Sequence, residues 1–169
     1  MDAFDAVRTV LAVRAYQDRP IPDDVVRRIV EAGHLTASSM NRQPWQFVVV
    51  RDRDALRRLG ELVRSGPYIA GAPLAIVVGV EKASKFAVSD ASRAVQSMIL
   101  TAWEDGVGSN WAGFGGIDAA GKLVGLPAEF DVLAVIPFGY PASAVGRGKK
   151  NRKPLGEVAS RERFGQPFE

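Results

Sequence analysis

Three stretches of the chain carry the residues best suited to chemistry. Residues 36–44 gather hydroxyl and amide side chains, residues 147–153 (RGKKNRK) hold five basic residues, and Arg14 stands as a separate cation. A local cationic cluster calls for an anion. Arg offers paired donors to a phosphate and Lys a point charge. Arg14, the basic run and the Ser/Asn/Gln loop together could hold a phosphate and the polar edge of a ring. The usual nucleophilic and metal constellations are missing. There is no cysteine, which removes disulfides, thiolate catalysis and cysteine-ligated metals. His34 is the sole histidine, at the end of a helical stretch, where a structural role is the ordinary one. No HExxH or other metal-ligand spacing appears, nor GxSxG, nor a P-loop, and no GxGxxG follows a strand. Anion-seeking loops without a nucleophile suit an enzyme whose cofactor does the difficult chemistry.

Bland readings of the same residues stand beside this one. Residues 36–45 could be an ordinary helix-to-strand turn rich in Ser, Asn and Pro. The glycines at 113–116 could form only a bend. The basic run could be a solvated tail or a nucleic-acid patch. Nucleic acid is the weaker partner, because no aromatic residue interleaves with the cations to stack on bases.

The elements that must position these loops follow from periodicity. Phe4, Val7, Val10 and Leu11 predict a helix over 2–13, stopped before Pro20 and Pro22. Asp23 and Asp24 open a second helix, where carboxylates suit the positive end of the dipole. Valine-rich runs at 45–50, 74–80 and 132–138 predict buried strands, with a short further strand at 109–112. Amphipathic spacing predicts helices over 54–64, 90–105 and 118–124. The fold class is therefore α/β, in the looser α+β sense. A mixed central sheet is flanked by helices within one domain spanning 1–169. Residues 140–169 lack periodicity but keep Leu155, Val158, Phe164 and Phe168, which predicts an arm laid across a partner subunit.

With 169 residues, 47% of them hydrophobic and 24% charged, the chain can bury a core without staples. The net charge of +3 says little beside its clustering. No signal peptide or spanning segment is expected, so no membrane partner is, and a cytoplasmic location is compatible with the absence of cysteine.

Several segments resemble the nitroreductase family, in that family's order. Thr36-Ala-Ser-Ser-Met-Asn-Arg-Gln-Pro-Trp45, with Gln46-Phe-Val-Val-Val50, resembles its signature loop and strand. Gly106-Val-Gly-Ser-Asn-Trp-Ala-Gly113 resembles a second flavin-contacting segment, and Lys150-Asn-Arg-Lys-Pro-Leu155 a C-terminal phosphate-binding motif. The resemblance implies FMN as cofactor, NADH or NADPH as co-substrate, and a homodimer with FMN at the interface. It implies that Arg14, Lys150 and Arg152 neutralise the FMN phosphate. Ser38, Ser39 and Asn41 would reach the flavin from the other subunit, with Gln43 in the same loop and Asp90 as a polar residue near the ring. Trp111, Ala112 and Gly113 would run past the ring, the Gly113 N–H facing flavin N5. No side chain is implied as an obligatory acid or base. The implied reaction passes a hydride to flavin and then reduces a small-molecule acceptor such as a nitroaromatic or quinone, in ping-pong order.

One departure concerns the cofactor. The family carries an Arg and a Ser just before the position of Arg14, where this chain reads Val10-Leu-Ala-Val13. Two phosphate contacts are missing, each worth roughly 1.5–3 kcal/mol. Arg147, Lys149 or Lys153 would have to compensate. Two other readings stay open: a flavin-binding or flavin-handling protein of the same fold with little turnover, and a basic nucleic-acid or interaction module.

Overall fold

A computed structural model of the chain describes residues 1–146 and 150–168. Its centre is β2 (Leu74–Glu81), whose residues Leu74–Val80 are all buried. A run of that length with no charge has to be covered on both faces. β2 pairs antiparallel with β1 (Trp45–Val50) on one side and with β4 (Phe130–Gly139) on the other. The short β3 (Gly108–Ser109) completes the order β1-β2-β4-β3. Val48 sits opposite Val77, and Ile76 opposite Ile136. The named strands are antiparallel throughout, and the parallel component of the sheet is a bridge between Ala12 and Ser109.

Alternation along the strands divides the core in two. Ile76, Val78, Ala134 and Ile136 face one side, where they meet residues of α2 (Asp23–His34) and α4 (Ala87–Glu104). Ala75, Val77 and Val135 face the other, against Leu56 and Leu59 of α3 (Arg53–Leu62) and Ala120 of α5 (Ile117–Leu123). Each fully buried Leu or Ile contributes roughly 1.5–3 kcal/mol. The start of α3 is fixed by Asp52, whose carboxylate accepts the Ala55 N–H at 2.8 Å. No described helix is long and apolar enough to cross a membrane.

The first helix is shorter than the pattern predicts. α1 covers Ala3–Thr9, and Val10 turns extended with ψ 132°. The reason lies across the molecule. The Val13 N–H donates to the Ser109 carbonyl at 2.9 Å, so residues 10–13 run along the edge of β3 instead of continuing the helix. α4 begins three residues earlier than expected, because its buried face starts with the small residues Ala87 and Ala91, which mark no strong period. The strand expected at 109–112 is interrupted. It is paired as β3 at Ser109, and again where Ala112 and Val135 exchange two backbone hydrogen bonds of 3.1 and 2.8 Å. The arm carries a four-residue helix that periodicity does not announce, α6 (Leu155–Val158). Phe164, at 103% relative exposure, makes no use of its apolar surface within the chain.

Gly116 initiates α5 with φ +77°, and a Cβ there would lie 1.9 Å from the Leu62 carbonyl oxygen. Both the left-handed backbone and the approach to α3 require glycine. Gly116→Ala is expected to lose at least about 1–3 kcal/mol from the backbone conformation alone, read as a lower urea midpoint.

Candidate functional site

A cleft of about 910 Å³ opens between α1, α4, the segment after β3 and the C-terminal arm. That volume is in the range of small-molecule and cofactor sites. α1 contributes Phe4, Val7 and Arg8, and α4 contributes Gln96 and Ile99. Trp111, 40% exposed, lies on the wall beside Asn110. Lys150 and Arg152 close the arm side. Lys150 donates from Nζ to the Val7 carbonyl at 2.5 Å, which pins the arm to α1. Burial, and secondarily the neighbouring Arg152, hold the Lys150 ammonium below its usual range. Two cations crowded on one partly desolvated wall make an electropositive end suited to an anion.

Val10, Leu11 and Ala12 line this same cleft or its rim. The positions where polar phosphate contacts were missing thus face the site as apolar wall. Among the cations proposed as substitutes, Arg147 and Lys149 lie outside the described residues, and Lys153 is exposed.

The loop at 36–44 forms a separate, rigid unit. The turn Ser39–Asn41 contains left-handed residues, Met40 at φ 53° and Asn41 at 54°, and Gln43 follows at 52°. Such conformations cost energy and persist only when neighbours impose them. Here the neighbour is Asp90, fully buried on α4. Its carboxylate accepts the Ser39 N–H at 3.0 Å and the Ser39 hydroxyl at 3.2 Å, and pairs with Arg93. Ser38 Oγ accepts the Gln43 N–H at 2.9 Å, and the Gln43 amide donates to the Asn41 carbonyl at 3.0 Å. Asn41 and Gln43 stay exposed.

The eleven residues singled out from sequence therefore fall into four groups. Trp111, Lys150 and Arg152 share the cleft. Ser38, Ser39, Asn41, Gln43 and Asp90 form the loop unit, which is not part of the cleft wall of the same chain. Asp90 acts as the buried post of that loop. Arg14 lies in an adjoining recess with Ala12, Val13 and Pro141, its guanidinium 5.9 Å over the Tyr68 ring. Ala112 is buried in the second core, and Gly113 follows it on the surface. The Gly113 N–H donates to no group among the described residues. A Cβ on Gly113 would come within 2.5 Å of the Trp111 indole nitrogen, so glycine lets that indole lie close.

Four participants escaped sequence reading. Asn110, nearly buried, donates to the Tyr68 hydroxyl at 2.5 Å and presents its edge to the cleft. It sits inside the segment already singled out by resemblance, but its type alone gave no signal. Tyr68 lies in a Gly/Pro-punctuated connection. Arg8 pairs with Asp5 at i,i+3 and reads as a solvated helix pair, while Gln96 reads as the polar face of α4. Tyr16 offers no base: burial foremost, with Tyr68 adding, raises its phenol above the usual range, and its hydroxyl donates to the Val13 carbonyl at 2.6 Å. Among the described residues no His/Cys/Asp/Glu group could hold a metal.

Burial alone would raise the Asp90 pKa, but the Ser39 N–H, Arg93 and the Ser39 hydroxyl together outweigh it and lower the carboxyl below its ordinary value of 3.8. A depressed folded-state value contributes stability above the unfolded pKa, and that stability is lost as pH falls through the folded value. Asp90→Asn is expected to cost roughly 1.5–3 kcal/mol near neutral pH. In urea titrations at several pH values, the wild-type advantage should shrink in acid below 3.8. An advantage that does not depend on pH would contradict the charge-based role.

Comparison with known proteins agrees with this architecture. The sequence profile described as the Nitroreductase family matches residues 8–69 and 65–140. A Methanothermobacter thermautotrophicus protein that carries the provisional name NADH dehydrogenase/NAD(P)H nitroreductase is 34% identical over 154 residues, covering 86% of this chain and 81% of its own. A provisionally named nitroreductase from Desulfovibrio desulfuricans, solved in complex with FMN, superposes with a TM-score of 0.81 at 30% identity, covering 97% and 99% of the two chains. A Bacteroides thetaiotaomicron structure, provisionally an NADH dehydrogenase/NAD(P)H nitroreductase, gives a TM-score of 0.88 at 27% identity over 96% of this chain and 98% of its own. The three segments quoted from the sequence, the sheet flanked by helices and these matches lead to one conclusion: the chain belongs to the nitroreductase family.

Proposed function

We propose that this protein is an FMN-dependent oxidoreductase that takes reducing equivalents from NADH or NADPH and delivers them to a small-molecule acceptor such as a nitroaromatic or quinone. The observation that carries the reading is the cleft in which Trp111, Lys150 and Arg152 meet, drawn from two separate segments of the chain. The residues present fit FMN. The cleft has the volume, its arm side has the cations for a phosphate, and its remaining walls are apolar or amide-bearing.

When bound, FMN supplies the two-electron chemistry. The chain's own residues bind and orient. Lys150 and Arg152 would hold the phosphate through charge-assisted hydrogen bonds. Trp111 offers a flat, half-exposed surface at the opening. The Gly113 N–H, which donates to no group among the described residues, would be available to the redox-active edge of the ring system as a fixed dipole of the kind that stabilises developing charge. Asn110, oriented by Tyr68, adds an amide to the wall.

The loop unit supports a homodimer. Ser38, Ser39 and Asn41 are held in fixed geometry away from the cleft of their own chain, so they would contribute to the cleft of a second copy. Exposed Leu155, Val158 and Phe164 on the arm, with Phe114 near Gly113, give apolar surface for that contact. Sedimentation at micromolar concentration should show a dimer, and a monomer there would contradict the arrangement.

A second reading has one observation behind it. Val10, Leu11 and Ala12 give the cleft an apolar wall where family members bring phosphate contacts, which fits a protein that binds or hands on flavin with little turnover. The absorbance spectrum decides between the two. Retained yellow colour that bleaches anaerobically with NADH or NADPH supports the oxidoreductase, and retained colour that neither nucleotide bleaches supports the flavin-handling protein. Arg152→Ala is expected to weaken FMN retention about tenfold or more; unchanged retention would remove Arg152 from the phosphate site.

A further inference from the structure

We propose that Arg8 is a phosphate-gripping residue of this cleft, taking over at the end of α1 the work that Val10, Leu11 and Ala12 cannot do. The inference rests on the flavin reading above and concerns the phosphate monoester of the ligand. Arg8 is one of three cations on the cleft wall, with Lys150 and Arg152. Its place relative to them is fixed by the backbone. Lys150 Nζ lies 2.5 Å from the carbonyl of Val7, the residue bonded to Arg8. The arm therefore brings Lys150 directly against the turn of α1 that carries Arg8. Val10, Leu11 and Ala12, which follow it, offer no side-chain donor to an anion.

Arg8 is also able to respond. One guanidinium nitrogen is bonded to Asp5 at 2.7 Å, and the Arg8 side chain is 54% exposed. An exposed ion pair of this kind is worth little and exchanges readily. The remaining guanidinium donors suit the oxygens of a phosphate in a planar fork. The Lys150 ammonium on the same wall is held below its usual range by burial first and by Arg152 second, and an anion there would favour its charged form.

The test is direct binding of FMN and of riboflavin, which differ by the phosphate, to the full-length protein, followed by flavin fluorescence. Wild type should bind FMN more tightly than riboflavin. Arg8→Ala should weaken FMN roughly tenfold, as for loss of one charge-assisted hydrogen bond, and leave riboflavin within about twofold. Arg8→Lys, which keeps the charge, should recover part of the loss. Arg58→Ala, which removes an exposed cation on α3 with the same change in net charge, should alter neither affinity. Arg8→Ala weakening both flavins equally, or neither, would overturn the proposal, as would a wild type with no preference for FMN. These results leave the flavin reading in place, whereas a wild type that binds neither flavin would overturn both.

Discussion

Strand β2 must be dry on both faces, and most of the architecture follows from that requirement. Its seven buried residues from Leu74 to Val80 cannot be served by a sheet with one wet side. α2 and α4 have to cover one face, and α3 and α5 the other. Once those four helices are placed, the ends of the sheet acquire fixed surroundings. The segment leaving β3 emerges beside α4, and the extended residues after α1 lie along the same edge through Ala12 and Val13. The cleft is the space left between these obligatory neighbours. Its walls come from α1, α4, the segments that follow α1 and β3, and the arm.

A second constraint, local and electrostatic, shapes the other half of the site. A fully buried carboxylate needs partners, and Asp90 finds them in Arg93 and in the backbone and hydroxyl of Ser39. The charge and the strained turn are mutually dependent. Without the turn, Asp90 would keep Arg93 but lose both Ser39 hydrogen bonds; without Asp90, the left-handed backbone at Met40 and Asn41 would have little to hold it.

The sequence was most legible where one physical signal dominated. The valine-rich strands and the amphipathic α3 stand out because burial alone sets their pattern. The end of α1 was illegible because a distant carbonyl, that of Ser109, competes for Val13. The start of α4 was illegible because Ala87 and Ala91 pack through smallness and not through hydrophobic bulk. In the candidate site, Lys150, Arg152, Asp90 and the loop residues were singled out by resemblance, and what the sequence did not announce is that the Asp90 carboxylate holds the Ser39 turn. Tyr68 and Arg8 carry no motif, and Asn110 lies within a quoted segment with no signal from its own type. Their importance comes from what the tertiary fold sets next to them.

The link between Lys150 and Val7 closes a loop of 143 residues, far longer than the loop closed by the pairing of Val50 with Ala75. Each doubling of loop length adds about 0.6 kcal/mol of closure entropy. The difference between these two contacts is about two and a half doublings, or roughly 1.5 kcal/mol. On closure entropy alone, the pairing of β1 with β2 is the less costly contact and the docking of the arm on α1 the more costly one. The sheet is built from nearer contacts than the cleft. Ligand binding therefore draws on segments 143 residues apart, which the Lys150 wall joins.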